Sequence, residues 1–171
     1  MGLTMYEIAV PSFKQRLSSL SSVLDKAIIH CEERKIDPTE LAESRLAPDM
    51  FNLSQQVQRA SVHAGGAVAR LADIEVPKFT DDETNLVDLK HRLADTLKFI
   101  ESVSPEMLDG SESRTITVEV RIGTLTFSGQ DYLIHFALPQ VYFHVTTAYD
   151  ILRHKGLEIG KRDYLGKATT N

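Results

Sequence analysis

Apolar side chains at Phe13, Leu17, Leu20, Leu24, Ala27, Ile28 and Cys31 recur at intervals of three and four, the period that lays them along one face of a helix. Thr4 and Glu7 precede them at capping-box spacing. The pattern therefore predicts a long amphipathic helix ending near Lys35. Pro11 lacks an amide hydrogen, so it is expected either to kink the first turns or to mark the start of the main helix. The connector KIDPTELAESRLAP has room for one helical turn. Met50, Leu53, Val57, Ala60, Ala64, Ala67 and Leu71 share the face of a second helix ending around Ala72, with Asp49 of APDM expected to help cap it. Gly65-Gly66 inside that helix weakens it by about 1 kcal/mol per glycine relative to alanine, which signals either close backbone approach or local looseness. Thr80 and Glu83 repeat the capping-box spacing ahead of Leu86, Leu89, Leu93, Leu97 and Ile100. These predict a third helix running to about Ser102.

The period then changes to two. Ile116, Val118, Val120 and Ile122 alternate with Thr, Glu and Arg, and Leu125 and Phe127 follow Gly123-Thr124, which reads as a short β-hairpin over Thr115 to Phe127. Two strands alone are marginal, so the hairpin is expected to lean on the helices. A fourth helix is predicted from about Asp131 to His154, broken or kinked at Pro139 and closed by Gly156. Beyond that cap, Tyr164 and Leu165 are expected to fold back on the helices, with Lys161 and Arg162 outside or near acidic partners. The sum is an all-α chain: a four-helix bundle with a short β-hairpin inserted before the last helix, residues 1–171 forming a single domain.

Composition narrows the class of function. With 171 residues, 42% of them hydrophobic, the chain has material for a sizeable core. A net charge of −5, with Lys and Arg scattered along the sequence, leaves no basic footprint for a phosphate backbone, so no nucleic-acid partner is expected. One cysteine, Cys31, forms no internal disulfide, and the N-terminus lacks a secretory pattern; both suit a cytoplasmic protein. The stretch from Tyr132 to Tyr149 carries no formal charge. Its His135, Pro139, Gln140, His144, Thr146 and Thr147 make it too polar to span a membrane, and no membrane partner is expected. Signatures of common enzyme classes, G-x-S-x-G, C-x-x-C and H-E-x-x-H, are absent from the sequence, and GLEIGKRD fails the spacing of a phosphate loop.

The candidate chemistry rests on histidines. His30, His91 and His154 lie near helix ends or among charges and read as solvated or capping residues. His63 shares a helical stripe with Gln56, Arg59 and Arg70, all within roughly 60° of one another at the α-helical period. His144, in QVYFHVTTAYDILRHKG, lies on a stripe with Ala137, Ala148 and Ile151 and is expected to be buried or to line a pocket. A hydrogen-bonded core histidine is the commoner outcome than a metal ligand there. His135 and His144 are nine residues apart, about half a turn and about 13 Å of rise on one helix, so they cannot share an ion unless Pro139 breaks it sharply.

The segments DMFNLSQQVQRASVHAGGAVARLA and, more specifically, PQVYFHVTTAYDILRHKGLEIGKRDYLG resemble the DinB-like (DinB/YfiT) superfamily of four-helix bundles, in an uncharacterised bacterial branch. The resemblance covers the whole chain. It implies a divalent metal held by three histidines, one from the second helix and two spaced i, i+4 on the last. Carried over, His63 is similar to the second-helix ligand and His144 to the first ligand of the last helix, while Ala148 stands where the third is needed. Two histidines form a weak site, since catalytic zinc uses three protein ligands. Tyr149, Thr147 or an acid from elsewhere would have to complete it. The expectation is thus a polar pocket around His63 and His144 with an incomplete metal triad, serving a small-molecule-binding or interaction module. The alternative is a metal-dependent transferase or hydrolase using zinc or nickel, and a structural or stress-related dimer is a third reading. Because bundles of this superfamily often pair, and the hairpin offers an edge, a homodimer is expected.

Overall fold

The structure, a computed structural model, describes residues 2–167. Its long helices are α1 (Met5–Arg34), α3 (Leu53–Ala72), α4 (Leu86–Glu101) and α6 (Leu138–His154), with α2 (Pro38–Ala42), α5 (Gly129–Asp131) and α7 (Lys161–Leu165) as short turns. Each long helix packs on two others: α1 on α4 and α6, and α3 on α4 and α6. This makes a four-cornered bundle with α1 diagonal to α3. Phe13, Leu17, Leu24, Leu53, Leu71, Leu89, Leu93 and Leu152 fill its interior at no measurable exposure. The apolar stripes read from the sequence are the faces that meet there.

The helix entrances show where local chemistry decides. Thr4 and Glu7 form the expected capping box. Asp49 does not cap α3; Asn52 does, with Gln55 reaching back in a reciprocal box. Thr80 and Glu83 do not open α4 either. Asn85 caps it through the amides of Val87 and Asp88, because Glu83 is drawn instead to Arg92 and Gln58. Gly65 and Gly66 are buried where the chain after α3 crosses back: a methyl group on Gly65 would touch Thr96, Pro77 and Phe79, and one on Gly66 would press on the Arg70 guanidinium. The contacts at Gly65 are of ordinary van der Waals length and the one at Gly66 is with the end of a flexible side chain, so no close backbone approach demands either glycine.

Strands β1 (Thr115–Val120) and β2 (Gly123–Ser128) pair antiparallel, Thr115 opposite Ser128 and Val120 opposite Gly123. The reversal falls at Arg121-Ile122, two residues before the expected Gly123-Thr124. Ile122, which continues the strand alternation in sequence, is 88% exposed at the tip, and Gly123 takes up the turn at φ 128°. Ile116 and Val118 point into the core. Arg114 donates to the Leu71 carbonyl, tying the hairpin to the end of α3.

The last long helix is not broken at Pro139. The chain runs from α5 through a π-helical segment, Tyr132–Ala137, into α6, with Pro139 in the first turn of α6. Proline removes one amide donor and crowds the preceding turn, and the widened π turn absorbs both effects. Gly156, at φ 92°, follows the Lys155 cap, and Leu157 donates to the Leu152 carbonyl. α7 then packs on α1. Arg16, 5% exposed, donates to the carbonyls of Tyr164 at 2.6 Å and Leu165 at 2.7 Å and lies over the Tyr164 ring. Lys26 pairs with Asp163.

Candidate histidine site

The α3–α6 contact is the most extensive in the bundle, and it sets His63 against His144. Their rings are nearly parallel, 7° apart, with centroids 5.4 Å from each other. His144 is 6% exposed; His63 is partly buried. Phe51 and Phe143 flank the His144 ring, and Phe136, from the π-helical segment, meets His63 edge-on. Single π-helical turns inside α-helices recur at functional sites. Here Phe136 lies within the widened turn.

Gln56 fixes the chemistry of the pair. It is 1% exposed. Its Nε2 donates to the Phe51 carbonyl at 3.2 Å, so its Oε1 faces His144 Nδ1 at 2.7 Å. An amide oxygen only accepts, so His144 carries its proton on Nδ1 and presents a bare lone pair on Nε2. Burial lowers both imidazoles from 6.5 to about 4; for His63 the charges of His144, Arg59 and Arg70 add to it, and for His144 that of Arg59. Both rings are neutral at pH 7.

The remaining candidates lie elsewhere. Thr147 donates to the Phe143 carbonyl at 2.8 Å. Tyr149 points to the tail, with its hydroxyl 3.5 Å from the Ile159 carbonyl and its ring edge-on to Tyr164. His135 is exposed beside Asp131. Ala148 is fully buried, and no group of three His, Cys, Asp or Glu side chains able to hold a metal occurs among the described residues. The donor set therefore does not fit a resident zinc or nickel ion. Phe51, Phe136 and Phe143 border the pair on its apolar sides.

One polar cluster escaped the sequence. Arg92, 4% exposed, pairs with Glu83 at 2.6 Å and Asp81 at 2.7 Å, stacks on Phe79, and so straps the segment between α3 and α4 onto the bundle. Asp81 also pairs with Arg59, which joins the strap to the histidine site. The signal was present in the sequence: Arg92 interrupts the apolar stripe of α4 between Leu89 and Leu93.

Residues 5–165 match the family described as "Domain of unknown function (DUF1993)". A crystal structure of a DinB family member protein from Shewanella denitrificans, at 39% identity, superposes with a TM-score of 0.91 over 98% of this chain and 94% of that one. No curated protein matches. The bundle, its hairpin and both comparisons agree that this chain belongs to the DUF1993 family of DinB-like proteins.

Proposed function

We propose that the chain is a small-molecule-binding module whose recognition centre is the His63–His144 pair, working through neutral imidazoles without a resident metal. The observation that carries this reading is the relay from the Phe51 carbonyl through Gln56 to His144 Nδ1. Any buried imidazole needs an acceptor for its N–H; what the Gln56 contact adds is a fixed tautomer, and the Nε2 lone pair it leaves selects a ligand with a hydrogen-bond donor. A ligand without one would leave a buried acceptor unsatisfied, at a cost of about 1–3 kcal/mol. Phe51 and Phe143, 48% and 56% exposed, supply apolar walls beside the His144 ring.

The rival, a metal-dependent transferase or hydrolase, needs a third strong donor. Calorimetric titration of zinc and nickel into untagged protein separates the two readings. The wild type is expected to take up no stoichiometric ion, Ala148→His to gain a site one turn from His144, and His63→Ala in that background to lose the gain. Tight one-to-one binding by the wild type would overturn the metal-free reading.

A further inference from the structure

Arg59 stands one turn before His63 on α3, and its guanidinium reaches Asp81. Its side chain is 31% exposed, and among the described residues no other side chain pairs with it. Asp81 does not depend on Arg59: its second carboxylate oxygen is held by Arg92 at 2.7 Å. Arg92 in turn keeps Glu83 at 2.6 Å. Arg59 can therefore exchange one carboxylate for another without stranding a buried charge. The other basic side chain of that stripe, Arg70, is directed to the Tyr132 hydroxyl at 3.4 Å. His144, its proton held on Nδ1 by the Gln56 carbonyl oxygen, contributes an acceptor at Nε2.

We propose that Arg59 is the specificity-determining residue of the histidine site, and that the ligand class is a planar molecule bearing a carboxylate for Arg59 and a hydroxyl donor for His144 Nε2. Asp81 is the internal stand-in that such a carboxylate displaces. The proposal rests on the reading of the histidine pair as a ligand site. Its chemical logic is division of labour: a carboxylate alone is repelled by a bare imidazole nitrogen, a hydroxyl alone gives the guanidinium only a single neutral acceptor, and the forked guanidinium matches a carboxylate in two parallel charge-assisted hydrogen bonds. The Phe51 ring, inclined at 28° to the His144 ring, offers its face to a flat ligand.

The test uses intact protein labelled with nitrogen-15 in its histidine rings, titrated with the three hydroxybenzoate isomers, the matching hydroxybenzamides and benzoate. At least one hydroxybenzoate is expected to shift the His63 and His144 resonances with a Kd at least tenfold below those of its amide and of benzoate. Arg59→Gln should erase the preference for acid over amide, and Asp81→Asn, which weakens the internal competitor, should tighten the acid several-fold. Melting temperatures of both variants serve as the check on folding. Amides that bind as tightly as acids, or an acid preference that survives Arg59→Gln, would overturn the role of Arg59 and leave the histidine site standing. Resonances of both histidines unmoved by every probe would overturn the ligand-site reading itself.

Discussion

Replacing Gln56 by leucine removes the acceptor that holds His144 Nδ1 and leaves the Phe51 carbonyl without its donor. The expected loss is about 1–3 kcal/mol in urea unfolding, together with a mixed tautomer at His144. Gln56→Glu should instead draw a proton onto His144 and raise its pKa, because a carboxylate favours the imidazolium. The native pair has the opposite bias. An unfolded chain protonates these histidines near 6.5 and the folded chain only near about 4, so acid favours the unfolded state. Their contribution is fully present above pH 6.5 and is lost as pH falls toward about 4, with a ceiling of about 1.4 kcal/mol per pH unit for each ring. Between pH 7 and 5 the wild type should lose about 4 kcal/mol more, about 2 for each ring, than His63→Gln/His144→Gln, measured by urea unfolding at both pH values. The positions of His63 and His144 were legible from the family resemblance. The role of Gln56 was not: a glutamine on a mixed stripe looks solvated until the partner helix is in place.

At the scale of elements, the strap between α3 and α4 is held by charge more than by apolar burial. Arg92→Ala would leave Glu83, whose side chain is 11% exposed, without its charged partner and with only the Gln58 amide as donor. Unfolding should become easier by about 3 kcal/mol, and the segment from Ile74 to Asn85 should become sensitive to protease. Arg16→Ala acts at the other end of the molecule. It removes the donor to the Tyr164 carbonyl and one of the two to the Leu165 carbonyl, which Gln15 also reaches at 3.0 Å, so α7 should loosen and be cleaved more readily by protease near Gly160 while α1 stays folded. Helix existence was readable because stripes such as Leu86, Leu89, Leu93 and Ile100 obey one period. Helix entrances were less so. Thr80 and Glu83 have the spacing of a capping box, but the long-range pull of Arg92 on Glu83 outweighs that local signal. Ile122 likewise obeys the strand alternation and still sits at the hairpin tip, since the register is set by how Ile116 and Val118 seat in the core.

For the molecule as a whole, no described helix is long and apolar enough to cross a membrane. The sequence conveyed the bundle well because four amphipathic stripes admit few ways of burying one another. The site was harder to read, since its state depends on contacts between α3 and α6 that no single stretch contains. We propose that two copies pair through the hairpin, where each strand has one unpaired edge and Ile122 is exposed. Sedimentation at micromolar concentration should show twice the 19.1 kDa chain mass, and Ile122→Asp should halve it; a wild-type species of chain mass alone would remove the idea. The central claim, a pair of neutral imidazoles with His144 Nε2 held as a free acceptor, is tested most directly by ring nitrogen-15 spectra of the intact protein recorded from pH 8 to pH 4. His144 should remain in the Nδ1–H form across neutral pH, and both rings should titrate well below 6.5, toward about 4. Titration near 6.5 with rapidly exchanging tautomers at His144 would contradict it.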